Sequence, residues 1–330
     1  MKATLNYLFE GNTLTENAAY EAMQFISSGN ANDIQIACFL SVYNMRVPTA
    51  QEFNGFRKAM LDIAIPIHLD TDKTLDIVGT GGDGKNTFNI STLACFVCAG
   101  AGIKVAKIGN YGFSSVSGSS NVLENLAVQF ATTQDGLNQQ LAKSNITFVH
   151  APLFFPAMKN VAPVRKQMQT KTIFNILGPI INPCNPSTKI VGVHSAYLGK
   201  LYRAVLKPTN SNFAIVHAVD GYDEISLTGD TQIFTRKNIQ LFSTKDFGFQ
   251  KIKPNEIEGG NSVASNAKLF LDILKGKGTE AQNNVVLANA ALAISIHENC
   301  TYKLALEKAK QSLKDGNAYQ CLKKLKTVKN

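Results

Sequence analysis

The chain has no run of eighteen or more apolar residues, which excludes a conventional membrane-spanning helix. Its first residues, Met1-Lys2-Ala3-Thr4-Leu5-Asn6, have neither an apolar core segment nor a small-residue cleavage site, so no secretory leader is expected and the cytoplasm is the expected location. Six cysteines are scattered at 38, 95, 98, 184, 300 and 321, with no second C-x-x-C and no histidine at zinc spacing. Cys95 and Cys98 lie in an apolar helical stretch and read as small packing residues. Internal repeats and low-complexity linkers are also absent. Arginine is missing from the lysine-rich end, where eight lysines in the last thirty residues face only Glu307 and Asp315. The overall charge of +9 therefore reads as a solvated helical face more than as a nucleic-acid surface.

What is present is centred on Gly79 to Thr92, Gly-Thr-Gly-Gly-Asp-Gly-Lys-Asn-Thr-Phe-Asn-Ile-Ser-Thr. An apolar strand, Leu75 to Val78, leads in, and an apolar helix, Leu93 to Ala101, leads out. Glycines at 79, 81, 82 and 84 let the backbone turn sharply and approach a ligand closely. Thr87, Asn89, Ser91 and Thr92 then gather neutral donors at a helix N-terminus, a suitable seat for phosphate. Two common phosphate motifs overlap here and neither is complete. Gly79, Gly81 and Gly84 satisfy G-x-G-x-x-G, but the next strand ends Val105-Ala106-Lys107 without the acid that a dinucleotide ribose needs. Gly79 to Lys85 imitates G-x-x-x-x-G-K, but Asn86 stands where magnesium requires Ser or Thr. An acid in such a loop would repel a bare phosphate. Asp83 is therefore expected to face a ribose, an incoming nucleophile or a metal-bound water.

Three hundred and thirty residues, 45% hydrophobic, suffice for a large core and two domains. Residues 1 to 70 read as helical. Thr49 and Glu52 form a capping box, and Phe53, Phe56, Met60 and Ile63 follow on one helical face. Further amphipathic helices are expected at Ala19 to Ile26 and Ile34 to Tyr43. After Asp72 the rhythm becomes strand, turn, helix, with strands at Leu75 to Val78, Ile103 to Lys107, Ile146 to His150, Lys189 to Val193 and Phe213 to Val219. This is an α/β class with a small N-terminal all-helical domain and a larger domain around a mainly parallel sheet flanked by helices. Ligands then collect at the carboxyl ends of the strands. Asp223 and Glu224, after a glycine turn at one such end, suit magnesium, which accepts a carboxylate pair and completes its shell with water and phosphate. Lys107 is expected to balance a diphosphate, and Ser119 to donate to its terminal phosphate. Of the histidines, His68, His194 and His297 read as structural, whereas His150 and His217 lie at strand ends near the expected site.

GTGGDG followed by TFNIST resembles the diphosphate-binding signature of the anthranilate phosphoribosyltransferases. The likeness continues through Lys107-Ile108-Gly109-Asn110, Ser117-Gly118-Ser119, Arg165 and Phe174-Asn175-Ile176-Leu177-Gly178-Pro179, over nearly the whole chain. The resemblance implies transfer of a phosphoribosyl group from phosphoribosyl pyrophosphate to the amine of anthranilate, releasing diphosphate, in tryptophan biosynthesis. It assigns catalysis to Asp83 and Lys107. Donor contacts would come from Gly79, Gly81, Gly82, Asp83, Thr87, Asn89, Ile90, Ser91, Thr92, Lys107 and Ser119. Anthranilate would meet Gly79, Ile108, Asn110, Phe155, Arg165 and Gly178. Ser91, Asp223 and Glu224 would hold Mg2+, as two ions. It also implies a domain of residues 1–70 that a segment at about 160–185 rejoins, a second domain of 71–330, and a homodimer through the helical domain.

The acceptor side departs from the family. Ile108 and Phe155 occupy positions where histidine is usual, Met168-Gln169-Thr170-Lys171 replaces Leu-Gly-x-Arg, and Val116 stands where lysine is common. A same-fold transferase acting on another aromatic amine, and a non-catalytic nucleic-acid-binding paralogue, are the alternatives. The paralogue would have no use for Asp223 and Glu224.

Overall fold

The computed structural model describes residues 1–112 and 116–328. Four helices come first: α1 (Lys2–Phe9), α2 (Glu16–Ser27), α3 (Asp33–Met45) and α4 (Ala50–Ile63). Side chains close their N-termini. Thr15 accepts from the Ala18 N–H, and the pairs Asn32 with Gln35 and Thr49 with Glu52 form reciprocal capping boxes. Glu52 does more than cap. It is fully buried and accepts from Arg46, Tyr43 and the Leu14 N–H, so one carboxylate ties three helical segments together.

The rest of the chain alternates: β1 (Leu75–Gly79), α5 (Ile90–Gly100), β2 (Val105–Gly109), α6 (Ser119–Asn125), α7 (Gln134–Ser144), β3 (Ile146–His150), α8 (Ala151–Phe154), α9 (Ala162–Met168) and α10 (Ile173–Leu177). There follow β4 (Thr188–Gly192), α11 (Ala196–Leu206), β5 (Asn212–Ala218), β6 (Thr231–Thr235), β7 (Ile239–Phe242), α12 (Val263–Leu274), α13 (Glu280–Glu298), α14 (Tyr302–Lys314) and α15 (Asn317–Leu325). The seven strands are ordered β3-β2-β1-β4-β5-β6-β7, parallel from β3 through β5 and antiparallel at β6 and β7.

The parallel strands fall where the sequence placed them, within two residues at each end. The antiparallel edge hairpin and α1 were not foreseen. The helix after the glycine loop begins at Ile90, three residues earlier than expected, which places Ser91 and Thr92 inside its first turn.

Strand alternation divides the interior into two cores. Leu75, Ile77, Val105, Phe148, Ile190 and Val216 face α5, α13 and the C-terminal helices. Ile108, Val149, Val191, Ile215 and Phe234 face the opposite way and share their core with α1 to α4 and with α8 to α10. The sheet thus has one face covered by its own helices and the other covered partly by the helical bundle. Cys95 and Cys98 are fully buried in the first core, and burial pushes the Cys95 thiol up to about 12, consistent with packing.

Candidate active site

Strand order reverses between β1 and β4, the place where an open α/β sheet leaves a crevice at its carboxyl edge. Their last residues, Gly79 and Gly192, are direct register partners. A Cβ on Gly79 would lie 2.2 Å from Asp223 Oδ2, and one on Gly192 would lie 1.6 Å from the Asp223 carbonyl oxygen. Two glycines therefore form a slot that admits the loop after β5, and Asp223 fills it. Asp223 Oδ2 accepts from the Gly81 N–H at 2.7 Å, locking that loop to the glycine loop.

Gly81, Gly82 and Gly84 all have positive φ, so the loop adopts a path that side chains with a Cβ resist. Its far limb is propped from outside. Gly259 N–H donates to the Asn86 carbonyl at 2.6 Å, and Asn266 holds both the Gly260 N–H and the Ser117 hydroxyl. Asn89 donates to the Ser117 carbonyl at 3.3 Å, so the N-terminus of α5 is left without a side-chain cap. Ser91 and Thr87 remain part-exposed beside it, whereas Thr92 and Ile90 are buried beneath.

Three buried oxygens that lack a hydrogen-bond partner gather at this edge: Thr80 Oγ1, Asp83 Oδ2 and Glu224 Oε1. Buried polar groups are rarely left so, and their coincidence in one place marks a seat for a ligand. The acids also crowd one another. Burial, then the Asp83 charge, pushes Asp223 up to about 6. Glu224 is raised well above the carboxylate range by burial and by both neighbours, with the Thr87 hydroxyl opposing. Asp83 is also raised by burial, while the backbone N–H of Lys85, at 3.0 Å from its Oδ1, and more weakly the charge on His194 work the other way. No cluster of three or more His, Cys, Asp or Glu side chains among the described residues holds a metal unaided. Mg2+ needs less: one or two carboxylates plus substrate phosphates and water, which Asp223 and the free oxygen of Glu224 fit.

Lys107, expected to balance a diphosphate, lies inside the sheet. It is 2% exposed, and its ammonium donates to the Ile77 carbonyl beneath β1. Within hydrogen-bond range it touches the strand below the loop, and it supplies positive charge felt by Asp76 and Asp223 from below. Ser119 begins α6 against Gly109, where a Cβ would lie 2.5 Å from its Oγ, and that hydroxyl donates to the Asn110 carbonyl at 3.5 Å. Asn110 itself is exposed at the mouth of the crevice.

On the other core, Ile108 and Phe155 are 4% and 3% exposed, among Phe154, Val164 and Phe174. Arg165, on α9, donates to Asn175 Oδ1 at 3.3 Å and lies 5.4 Å from the Phe174 ring centroid. Open space faces the Cα of Gly178. The apolar residues among these belong to one core, with the Arg165 guanidinium against its Phe174 ring. Val116 is exposed at the edge of the residues left undescribed.

The histidines divide differently from expectation. His150 Nδ1 lies 2.9 Å from Ser120 Oγ, and its ring stacks on Phe130 at 4.6 Å and meets Tyr111 edge-on at 4.9 Å, so it is held by packing. His217 Nδ1 donates to the Val193 carbonyl at 3.1 Å. His194 follows β4 at the same sheet edge, within electrostatic reach of Asp83 and His217. His297 is structural, bonded to Thr188 at the opposite end of β4. Thr80, Gly192 and Asn266 were not foreseen in the site, and Lys171, expected only as a departure on the acceptor side, donates its ammonium to the Gly82 carbonyl. Only the three-dimensional register reveals Gly192, whereas Thr80 lies within the motif itself.

Residues 71–319 match the family described as "Glycosyl transferase family, a/b domain", and residues 2–64 match its "helical bundle domain". The chain is 50% identical to the anthranilate phosphoribosyltransferase of Flavobacterium psychrophilum over 99% of each, and 43% identical to that of Bacteroides thetaiotaomicron over the whole of both. Among solved structures, the Thermus thermophilus anthranilate phosphoribosyltransferase superposes with a TM-score of 0.91 at 30% identity, covering 98% of each chain. The Saccharomyces cerevisiae enzyme in complex with PRPP and Mg gives 0.89 at 26% identity, covering 98% of this chain and 97% of that one. With a glycine slot and an acid pair on one sheet edge, and this likeness running end to end, the chain belongs to the anthranilate phosphoribosyltransferase family.

Proposed function

We propose that this protein transfers the phosphoribosyl group of phosphoribosyl pyrophosphate to the amine of anthranilate, releasing diphosphate, in tryptophan biosynthesis. The observation that carries it is Asp223 lodged in the Gly79 and Gly192 slot, with the free oxygen of Glu224 beside the glycine loop. The leaving group departs with negative charge from an oxocarbenium-like centre, so holding that charge and aligning the amine are the main tasks. Mg2+, when bound, neutralises diphosphate; Asp223, Glu224 and Ser91 are the groups that would hold it, as two ions. The loop residues Gly81, Gly82, Thr87 and Asn89, with Ser119, seat the phosphates. Arg165 faces the anthranilate carboxylate as a planar fork. Asp83, with one oxygen uncommitted, stands between the two ligands and orients the ribose or the amine. An aromatic amine is already nucleophilic and needs only late proton removal, so no strong base is required.

The same reading divides the chain into a helical domain of residues 1–70, rejoined by about 160–185, and an α/β domain of 71–330. Asn160 donating to the Ser27 carbonyl and Arg57 to the Ile180 carbonyl support that return. Exposed Phe9, Ile34 and Met45 on the helical domain support a homodimer through that face. No described helix is long and apolar enough to cross a membrane, and we place the protein in the cytoplasm.

The test is the loss of anthranilate fluorescence with phosphoribosyl pyrophosphate and Mg2+. Turnover is expected for the native chain and a severe loss for Asp223→Asn with Glu224→Gln; an unaffected double variant would refute the metal assignment. A second reading, another aromatic amine as acceptor, is favoured by the buried apolar Ile108 and Phe155, and turnover of other amines without anthranilate would establish it.

A further inference from the structure

The donor seat needs a mobile positive group, and Lys107 does not supply one, being buried with its ammonium on the Ile77 carbonyl. Two exposed lysines approach the glycine loop. Lys85, within it, is turned onto the Tyr222 ring at 4.7 Å. Lys171 arrives from outside, on the stretch between α9 and α10, and its ammonium donates to the Gly82 carbonyl. The fit is close: a Cβ on Gly82, where φ is +72°, would lie 2.9 Å from both Cε and Nζ of Lys171, so the missing side chain is what admits the lysine.

The same stretch carries the acceptor cation. Gln169 turns the chain through left-handed backbone at the end of α9, and Thr172 caps α10 through its N–H to Asn175 Oδ1 at 2.9 Å. That oxygen also accepts from Arg165. One amide thus fixes both Arg165 and the residue that follows Lys171. The backbone between them is short, and a displacement of Lys171 is felt at Arg165.

We infer that Lys171 is a positioning residue that closes the diphosphate seat from the acceptor side, exchanging the Gly82 carbonyl for a phosphate oxygen and so coupling the two substrate sites. An ammonium on a neutral carbonyl gains by moving to an anion at the same place, since a full negative charge attracts it more strongly than a carbonyl dipole does. The inference rests on the proposed activity and deepens it: donor occupancy would draw Lys171 inward and set Arg165 for the acceptor carboxylate.

The probe is inorganic diphosphate with Mg2+, titrated calorimetrically into native protein, Lys171→Met and Lys171→Arg. Because Lys171 is exposed, unchanged thermal melting is expected in both variants. Lys171→Met should bind diphosphate about tenfold more weakly, with KM for the donor rising more than kcat falls, and Lys171→Arg should restore most of the loss. In the native protein saturating diphosphate should tighten anthranilate binding, followed by its fluorescence, and in Lys171→Met it should not. Diphosphate binding by Lys171→Met within about twofold of native, or anthranilate binding still sharpened by diphosphate, overturns the inference while leaving the transferase reading intact. Weakened diphosphate binding in a protein that turns over no anthranilate supports Lys171 at the seat and removes the acceptor assignment instead.

Discussion

Asp223 Oδ2 accepts the Gly81 N–H at 2.7 Å across the slot that Gly79 leaves open. Gly79→Ala puts a methyl 2.2 Å from that oxygen, and the carboxylate has to leave. The variant is expected to fold, since the clash lies at a strand end at the sheet edge, but to bind diphosphate with Mg2+ at least about a hundredfold more weakly. Calorimetry alongside circular dichroism checks both halves, and unimpaired binding would mean that Asp223 need not occupy the slot.

The raised acids make cation binding pH-dependent. Asp223, pushed up to about 6, and Glu224, raised well above the carboxylate range by burial, hold protons that have to leave before the oxygens can take a cation. Affinity for Mg2+ with diphosphate should fall as pH drops from 7.5 to 5.5, with proton release measurable by titration in buffers of different ionisation enthalpy.

The same shift sets a stability cost with a definite sign. A carboxyl whose folded value exceeds its unfolded one adds stability that is full below about pH 4 and is lost as pH rises through about 6. At pH 7.5 the ionised Asp223 therefore weighs against the metal-free fold. Asp223→Asn should stabilise metal-free protein there by about 1 to 2 kcal/mol, after allowance for its partial solvent contact, and by little at pH 4. Denaturant midpoints at both pH values decide it, and a destabilised variant at pH 7.5 would show that the Gly81 bond matters more than the buried charge.

Histidine at Ile108 or Phe155 would place a polar ring in a dry core. Each substitution should cost about 1 to 3 kcal/mol, more at pH 5.5 than at 7.5 because the imidazolium resists burial. KM for anthranilate should fall while KM for the donor stays, and an unmoved anthranilate KM would show that neither position faces the acceptor.

Much of this was legible because buried parallel strands are written as short apolar runs, and Ile146 to His150 needed no adjustment at all. The glycine loop was equally clear, since nothing but a close backbone approach explains Gly79, Gly81, Gly82 and Gly84 together. The burial of Lys107 follows from strand alternation, which puts it on the face of Val105, inside the sheet, although its charge suggested only a diphosphate partner. The hairpin of β6 and β7 was missed because its second strand, Ile239–Phe242, is only four residues long and mostly exposed. Gly192 carries no local signal, and Lys171 shows in the sequence only as a departure on the acceptor side. The first matters only through its register with Gly79, and the second through a contact 89 residues away in sequence.

The two-sided sheet has a consequence for how such a protein can change. Tyr222, Ile225 and Ile90, which brace the donor seat, belong to the core on one side, whereas Ile108, Phe155, Val164 and Phe174, which wall the acceptor side, belong to the other. Substitutions that remodel the choice of amine in that wall repack a different core from the one beneath the phosphate loop, so selectivity can drift across generations, provided the Lys171 stretch is kept, while the sugar-transfer chemistry is inherited.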